Sequence, residues 1–168
     1  MQGKKSVIDA LNALLTGELS ASDQYFIHSR MYENWGFGAL HERIEHERVE
    51  ELEHAGKLIN RILFLEGTPD IASRAALTIG ATVPEMLRSD LDYELSVVAA
   101  LRHSIALCES EQDFETRRIL VELLEETEED HTHWLEIQLG LIDKIGLHNY
   151  LQSAMAIPPA TPEPGADR

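Results

Sequence analysis

Apolar residues in this chain recur at intervals of three and four, and almost nowhere at intervals of two. That is the period of an α-helix, so an all-α fold is predicted with strands nearly absent. Breakers are few and placed at intervals that leave long helices between them. Four of the six prolines lie at 158, 159, 162 and 164, and the other two, Pro69 and Pro84, flank one long connection.

Four long helices and a short one follow. The first covers residues 6–34, with Ser6 as cap and Asp9 three residues on. Its seam holds Val7, Leu11, Leu14, Leu15 and Tyr25, and the turn Trp35-Gly36-Phe37-Gly38 ends it. The second covers 39–65, with Ile44, Leu58, Ile62 and Leu65 on one stripe and Gly67 beyond its end. The third begins near Thr82, where Thr82 and Glu85 form a capping-box pattern and Pro84 sits harmlessly in the first turn. Its seam is Leu87, Leu91, Val98, Leu101 and Ile105. A polar turn near Glu111 and Gln112 leads to a fourth helix over 113–145, ended by Gly146. A fifth, short helix over 149–156 is capped by Asn149.

Connection lengths set the topology. Short links make the first and second helices, and the third and fourth, antiparallel hairpins. The link over 66–81 is long enough to return along the second helix, which is about 40 Å long at 1.5 Å per residue. A crossover gives so long a loop its reason. The prediction is a four-helix bundle with one long crossover and a short fifth helix, occupying residues 1–157. The Pro-rich segment 158–168 is predicted to be a flexible tail.

Composition narrows the class of function. Fourteen Lys+Arg against 30 Asp+Glu give a formal charge of -16. Such a charge disfavours nucleic acid and anionic membranes and favours cations. The single Cys108 excludes an intrachain disulfide and points to a reducing compartment. The longest apolar run, Val97 to Leu101, is too short to span a bilayer, and the N-terminal residues lack the apolar core of a secretory signal. The predicted location is cytoplasmic, with no membrane or nucleic-acid partner.

The most informative residues are charged ones on the apolar seams. Glu18 lies between Leu15 and Tyr25, and Glu94 between Leu91 and Val98. Glu51 and His54 lie between Ile44 and Leu58, and Glu128 and His131 between Leu124 and Leu135. Residues three apart share a helix face, so each Glu-x-x-His pair aims at one point. A single such pair is weak; one Glu on each of two helices with Glu-x-x-His on each of the other two is strong. Four inward carboxylates repel one another and lose hydration, at a cost of several kcal/mol each when unpaired. Two divalent cations reverse that balance. Mixed oxygen and nitrogen donors suit Fe or Mn better than Ca or Mg, and this ligand pattern is the one described for di-iron carboxylate bundles.

Over residues 1 to about 156 the chain resembles a bacterioferritin, in the ferritin-like superfamily. The matching segments are Gly-Glu-Leu at 17–19, Asp-Gln-Tyr-Phe at 23–26, Asn-Trp-Gly at 34–36, Glu51-x-x-His54 and Arg-Ile-Leu-Phe-Leu-Glu-Gly at 61–67. They continue with Met-Leu-Arg-Ser-Asp-Leu at 86–91, Glu128-x-x-His131 with Trp134, and Asn-Tyr-Leu-Gln at 149–152. The resemblance implies a ferroxidase that oxidises Fe(II) with O₂ or H₂O₂ and stores ferric mineral in a shell of 24 subunits. It implies Glu18 and Glu94 as terminal ligands, Glu51 and Glu128 as bridges, and His54 and His131 as nitrogen donors. Tyr25 and Trp134 match aromatic positions near the site, implied as electron donors, with core packing the other reading. His46 and Glu50 match a cavity-face iron site, although Glu50 stands where the family often has Asp.

One position departs from the family. Its haem b is held at a two-fold axis by a Met two residues before the second-helix His, and here that residue is Leu52. Leucine offers no lone pair, so haem is expected only in a mixed shell with a Met-bearing sister chain. A ferredoxin-type reductase is the implied partner for iron release. Three other readings are less favoured. A rubrerythrin-like peroxidase is disfavoured by the lone cysteine, and a DNA-protecting mini-ferritin by the acidity and the fifth helix. A purely structural or haem-carrying shell is disfavoured by the six ligands and by Leu52.

Overall fold

The structure is a computed structural model and describes residues 2–155. Helix α1 spans Lys5–Trp35, α2 Gly38–Phe64 and α3 Val83–Ser110. The fourth rod is built in three pieces: α4 over Phe114–Glu126, a π-helical turn over Thr127–Thr132, and α5 over His133–Ile145. Helix α6 spans Leu147–Ala154. The predicted all-α bundle with a crossover and short last helix is what forms. The segment 158–168, and with it the predicted tail, lies outside the described residues.

Three local expectations differ. Ser6 does not cap α1: the cap position is Lys4, without a side-chain hydrogen bond, and Ser6 Oγ donates to Glu111 at 2.8 Å instead. Helix α6 starts directly after Gly146, so Asn149 lies inside it and donates to the Ile145 carbonyl at 2.8 Å. The fourth helix is not uniformly α, for the reason given below. At α3 the capping box holds in modified form. Thr82 Oγ1 accepts from Glu85 N, while the Glu85 carboxylate reaches back to Ala81 N at 2.8 Å.

The crossover is held by polar side chains spaced along one stripe of α1. Asn12, Ser20, Gln24 and His28 accept from the backbone N–H groups of Asp70, Ala75, Thr78 and Gly80 at 2.8, 2.8, 3.0 and 3.4 Å. The loop therefore runs in the same direction as α1, and α3 leaves parallel to α2. These bonds satisfy donors that an ordered loop would otherwise lose to burial. Where the crossover meets α3, a Cβ on Gly80 would stand 2.4 Å from Met86 N, so the close approach requires glycine. Behind the loop, His28 Nδ1 lies 2.8 Å from the fully buried Asp90 carboxylate. Among the described residues, no helix is long and apolar enough to cross a membrane.

The core divides into two apolar clusters. One contains Leu11, Leu15, Leu58, Leu101 and Leu123, and the other Tyr25, Ile44, Leu87, Leu91 and Leu135. Each long rod contributes to both. The seam residues between the two sets are polar, so a charged layer crosses the middle of the bundle.

Candidate metal centre

That layer is the candidate site. Glu18, Glu51, His54, Glu94 and His131 are all buried to within about 2% residual exposure, among the most enclosed charged groups in the chain. Two sets of ligand atoms lie within 4.8 Å of one another: Glu18, Glu51 and His54, and Glu51, Glu94 and His131. Glu51 belongs to both. Its carboxylate sits 2.9 Å from His131 Nδ1 and 3.6 Å from His54 Nδ1, while Glu18 sits 3.5 Å from His54 Nδ1. The two imidazoles stack at 5.8 Å, with an interplanar angle of 21°.

Both histidines turn Nδ1 inward because Nε2 is held from outside. His54 Nε2 lies 2.6 Å from the Glu126 carboxylate, which Lys57 braces at 3.2 Å. His131 Nε2 lies 2.8 Å from Glu47 and 3.1 Å from Glu50. An imidazole that donates Nε2–H to a carboxylate presents Nδ1 in a fixed direction, an arrangement typical of metal-ligating histidine. Inside the cluster the alignment is different. Both Glu18 oxygens and both Nδ1 atoms are buried without a hydrogen-bond partner. Orphaned lone-pair donors gathered from three rods fit a cation.

The protonation pattern shows what holds this layer together without metal. Burial, and then the Glu51 charge, push Glu18 up to about 8. Burial and Glu94 push Glu51 up as well, but Glu18, His131 and His54 outweigh them and hold it below the ordinary carboxylate value. Burial works against protonated His54, yet Glu18 and Glu51 raise it to about 10. His131 is raised further, against burial, by Glu47, Glu51 and Glu94. Protons on Glu18 and on both imidazoles therefore stand where cations would stand. Burial, then Glu94, raises Tyr25, whose hydroxyl donates to the Glu94 carboxylate.

Glu128 is not in this cluster. Its side chain is 36% exposed and accepts from Arg102 Nη2 at 2.6 Å. The cause is the π-helical turn: wider turns with i→i+5 bonding take residues three apart off a common face, so Glu128 no longer stacks with His131. His46 and Glu50 stay in contact, and Glu50 is shared with the buried layer. Glu50 reaches His131 with one oxygen and His46 with the other, at 3.2 Å, while His46 itself is exposed. Trp134 packs against the second apolar cluster under the Arg43 guanidinium, 5.2 Å from its ring centre.

Three contributors were not singled out in the sequence. Glu47 is 2% exposed and forms, with Glu50, Asp130 and His131, a third set of ligand atoms within 4.8 Å. Its signal was available, since it sits three after Ile44 and four before Glu51 on the inward stripe. Asp130, paired with Arg43 at 2.5 Å, and Glu126 carried none, because only the π-helical turn and the neighbouring rod bring them to the histidines.

Comparison with known proteins agrees with the geometry. The family profile for the ferritin-like domain matches residues 8–145. The chain is 57% identical over 156 residues to the bacterial ferritin of Synechocystis sp., covering 93% of this chain and all of that protein. It is 61% identical over 155 residues to the bacterial ferritin of Paramagnetospirillum magnetotacticum, covering 92% and 94%. With the bacterioferritin of Mycobacterium leprae it shares 39% over 160 residues, covering 95% and 100%. The glutamate and histidine clusters in its core have the composition of a ferroxidase centre, and this chain belongs to the ferritin-like family, close to the bacterial ferritins and bacterioferritins.

Proposed function

We propose that the chain is the ferroxidase subunit of an iron-storage shell. The observation that carries this reading is the convergence of five buried ligands on one point with Glu18 and two Nδ1 atoms unpartnered. Glu18 with His54, and Glu94 with His131, each offer one carboxylate and one nitrogen to an Fe(II) substrate ion. Glu51 lies between them and is shared. Glu128 is the sixth ligand in this reading. Tyr25 orients Glu94 and is positioned to pass an electron, and His46 with Glu50 receives iron on the cavity side.

Two Fe(II) supply the two electrons. O₂ then leaves as H₂O₂ with two protons taken up, or H₂O₂ leaves as two waters with two protons taken up, and each iron becomes Fe(III). The acidic surface concentrates the cation, and the protein's task is to fix geometry and exclude other donors. The shell would contain 24 subunits in the cytoplasm, served by a ferredoxin-type reductase. A second reading makes this chain the ferroxidase-rich partner of a haem-binding sister, and Leu52 favours it.

Aerobic Fe(II) addition to apoprotein tests the proposal. A fast, saturable rise in ferric absorbance, complete at two Fe(II) per chain and followed by slower mineral growth, is expected. Oxidation no faster than in protein-free buffer would refute it.

Two further results are expected. Glu126→Ala frees His54 Nε2 and should weaken the tighter phase of Co(II) binding about 10-fold by calorimetry. Leu52 is exposed on α2; Leu52→Met should produce a haem Soret band on reconstitution where the parent homo-oligomer shows little. Bands of equal strength would contradict the role given to Leu52.

A further inference from the structure

The outward pose of Glu128 is built, not incidental. Arg102 on α3 is 65% exposed, and its guanidinium donates to Glu128. Without metal, an inward Glu128 would leave water for a dry layer that already holds the Glu51 and Glu94 carboxylates. Lost hydration opposes that. Turned outward, the carboxylate stays in water and gains a charge-assisted bond at 2.6 Å. The π-helical turn contributes, because its i→i+5 bonding takes residue 128 off the face that carries His131.

The geometry points to Arg102 as a latch: it is a positioning residue that holds the sixth ligand, Glu128, off the metal centre and competes with the incoming cation for that carboxylate. This rests on the proposed iron site. A divalent cation adds a strong positive charge inside the layer, and Glu128 then leaves Arg102 to complete the ligand set. Arg102 touches neither metal nor substrate and acts only through Glu128.

An exposed ion pair is a weak competitor, so the expected effect is modest and measurable. Anaerobic Co(II) titrations of the intact apoprotein, read by calorimetry and visible absorbance, test it in five chains: parent, Arg102→Ala, Arg102→Lys, Glu128→Gln and the Arg102→Ala, Glu128→Gln double variant. Arg102→Ala should bind Co(II) about two- to five-fold more tightly than the parent. Arg102→Lys should lie between them. Glu128→Gln should bind more weakly, and adding Arg102→Ala to it should change nothing further. Two outcomes would overturn the latch: unchanged affinity in Arg102→Ala, or an equal gain in both backgrounds, which would mean a general charge effect. Failure of the parent itself to bind Co(II) would instead overturn the iron-site reading.

Discussion

Glu51→Gln should lower Co(II) affinity at both positions at least about 100-fold and reduce aerobic Fe(II) oxidation to the background rate. Substitutions at Glu18, His54, Glu94 or His131 should damage one position, because each of these serves one side. Glu51 is the member common to both ligand sets, 2.9 Å from one imidazole and 3.6 Å from the other. The apoprotein should lose stability as well. Glu18, His131 and His54 hold the Glu51 carboxylate below the ordinary value, so its charge is favourable where it sits, and glutamine keeps the shape without that charge. A lower thermal midpoint of the metal-free variant at neutral pH is the expected companion result. A variant that still oxidises Fe(II) at half the parent rate would rule out a shared ligand.

The second large effect is on pH dependence. Glu18 titrates near 8 in the folded chain and near 4.5 unfolded, so the native state binds more protons across that interval. Stability then falls as pH rises through it. His54, raised from 6.5 to about 10, contributes stability that is present below 6.5 and lost on the way to 10. Both have the same sign, and metal-free protein should become steadily easier to unfold in urea from about pH 5 to about pH 10. Bound metal replaces those protons, so metal uptake should release protons and its stabilisation should grow with pH. Glu18→Gln should flatten the lower part of the metal-free slope. A metal-free midpoint that rises between pH 6 and 9 would contradict the protonation pattern.

How far the sequence could be read follows from which forces act locally. Helix period, the Thr82 cap and the crossover length are local or geometric, and α1 to α3 appear close to where the pattern puts them. Glu18, Glu51, His54, Glu94 and His131 were legible because a charge on an apolar stripe is an anomaly that needs a partner. Glu128 was assigned on the assumption of an uninterrupted α-helix, and nothing in Thr-Glu-Glu-Asp-His-Thr announces a π-helical turn. Glu126 and Asp130 were illegible for the same reason, since their roles depend on side chains from other rods. The α1 ladder of Asn12, Ser20, Gln24 and His28 is spaced by eight, four and four residues, yet its meaning appears only when the crossover lies against it.

The most direct measurement is anomalous diffraction at the iron edge from crystals soaked anaerobically in Fe(II). Two peaks inside each bundle are predicted, one beside Glu18 and His54 and one beside Glu94 and His131, with Glu51 between them and Glu128 swung away from Arg102. Peaks confined to the exposed acidic surface, with the central layer still holding its protons, would contradict the assignment.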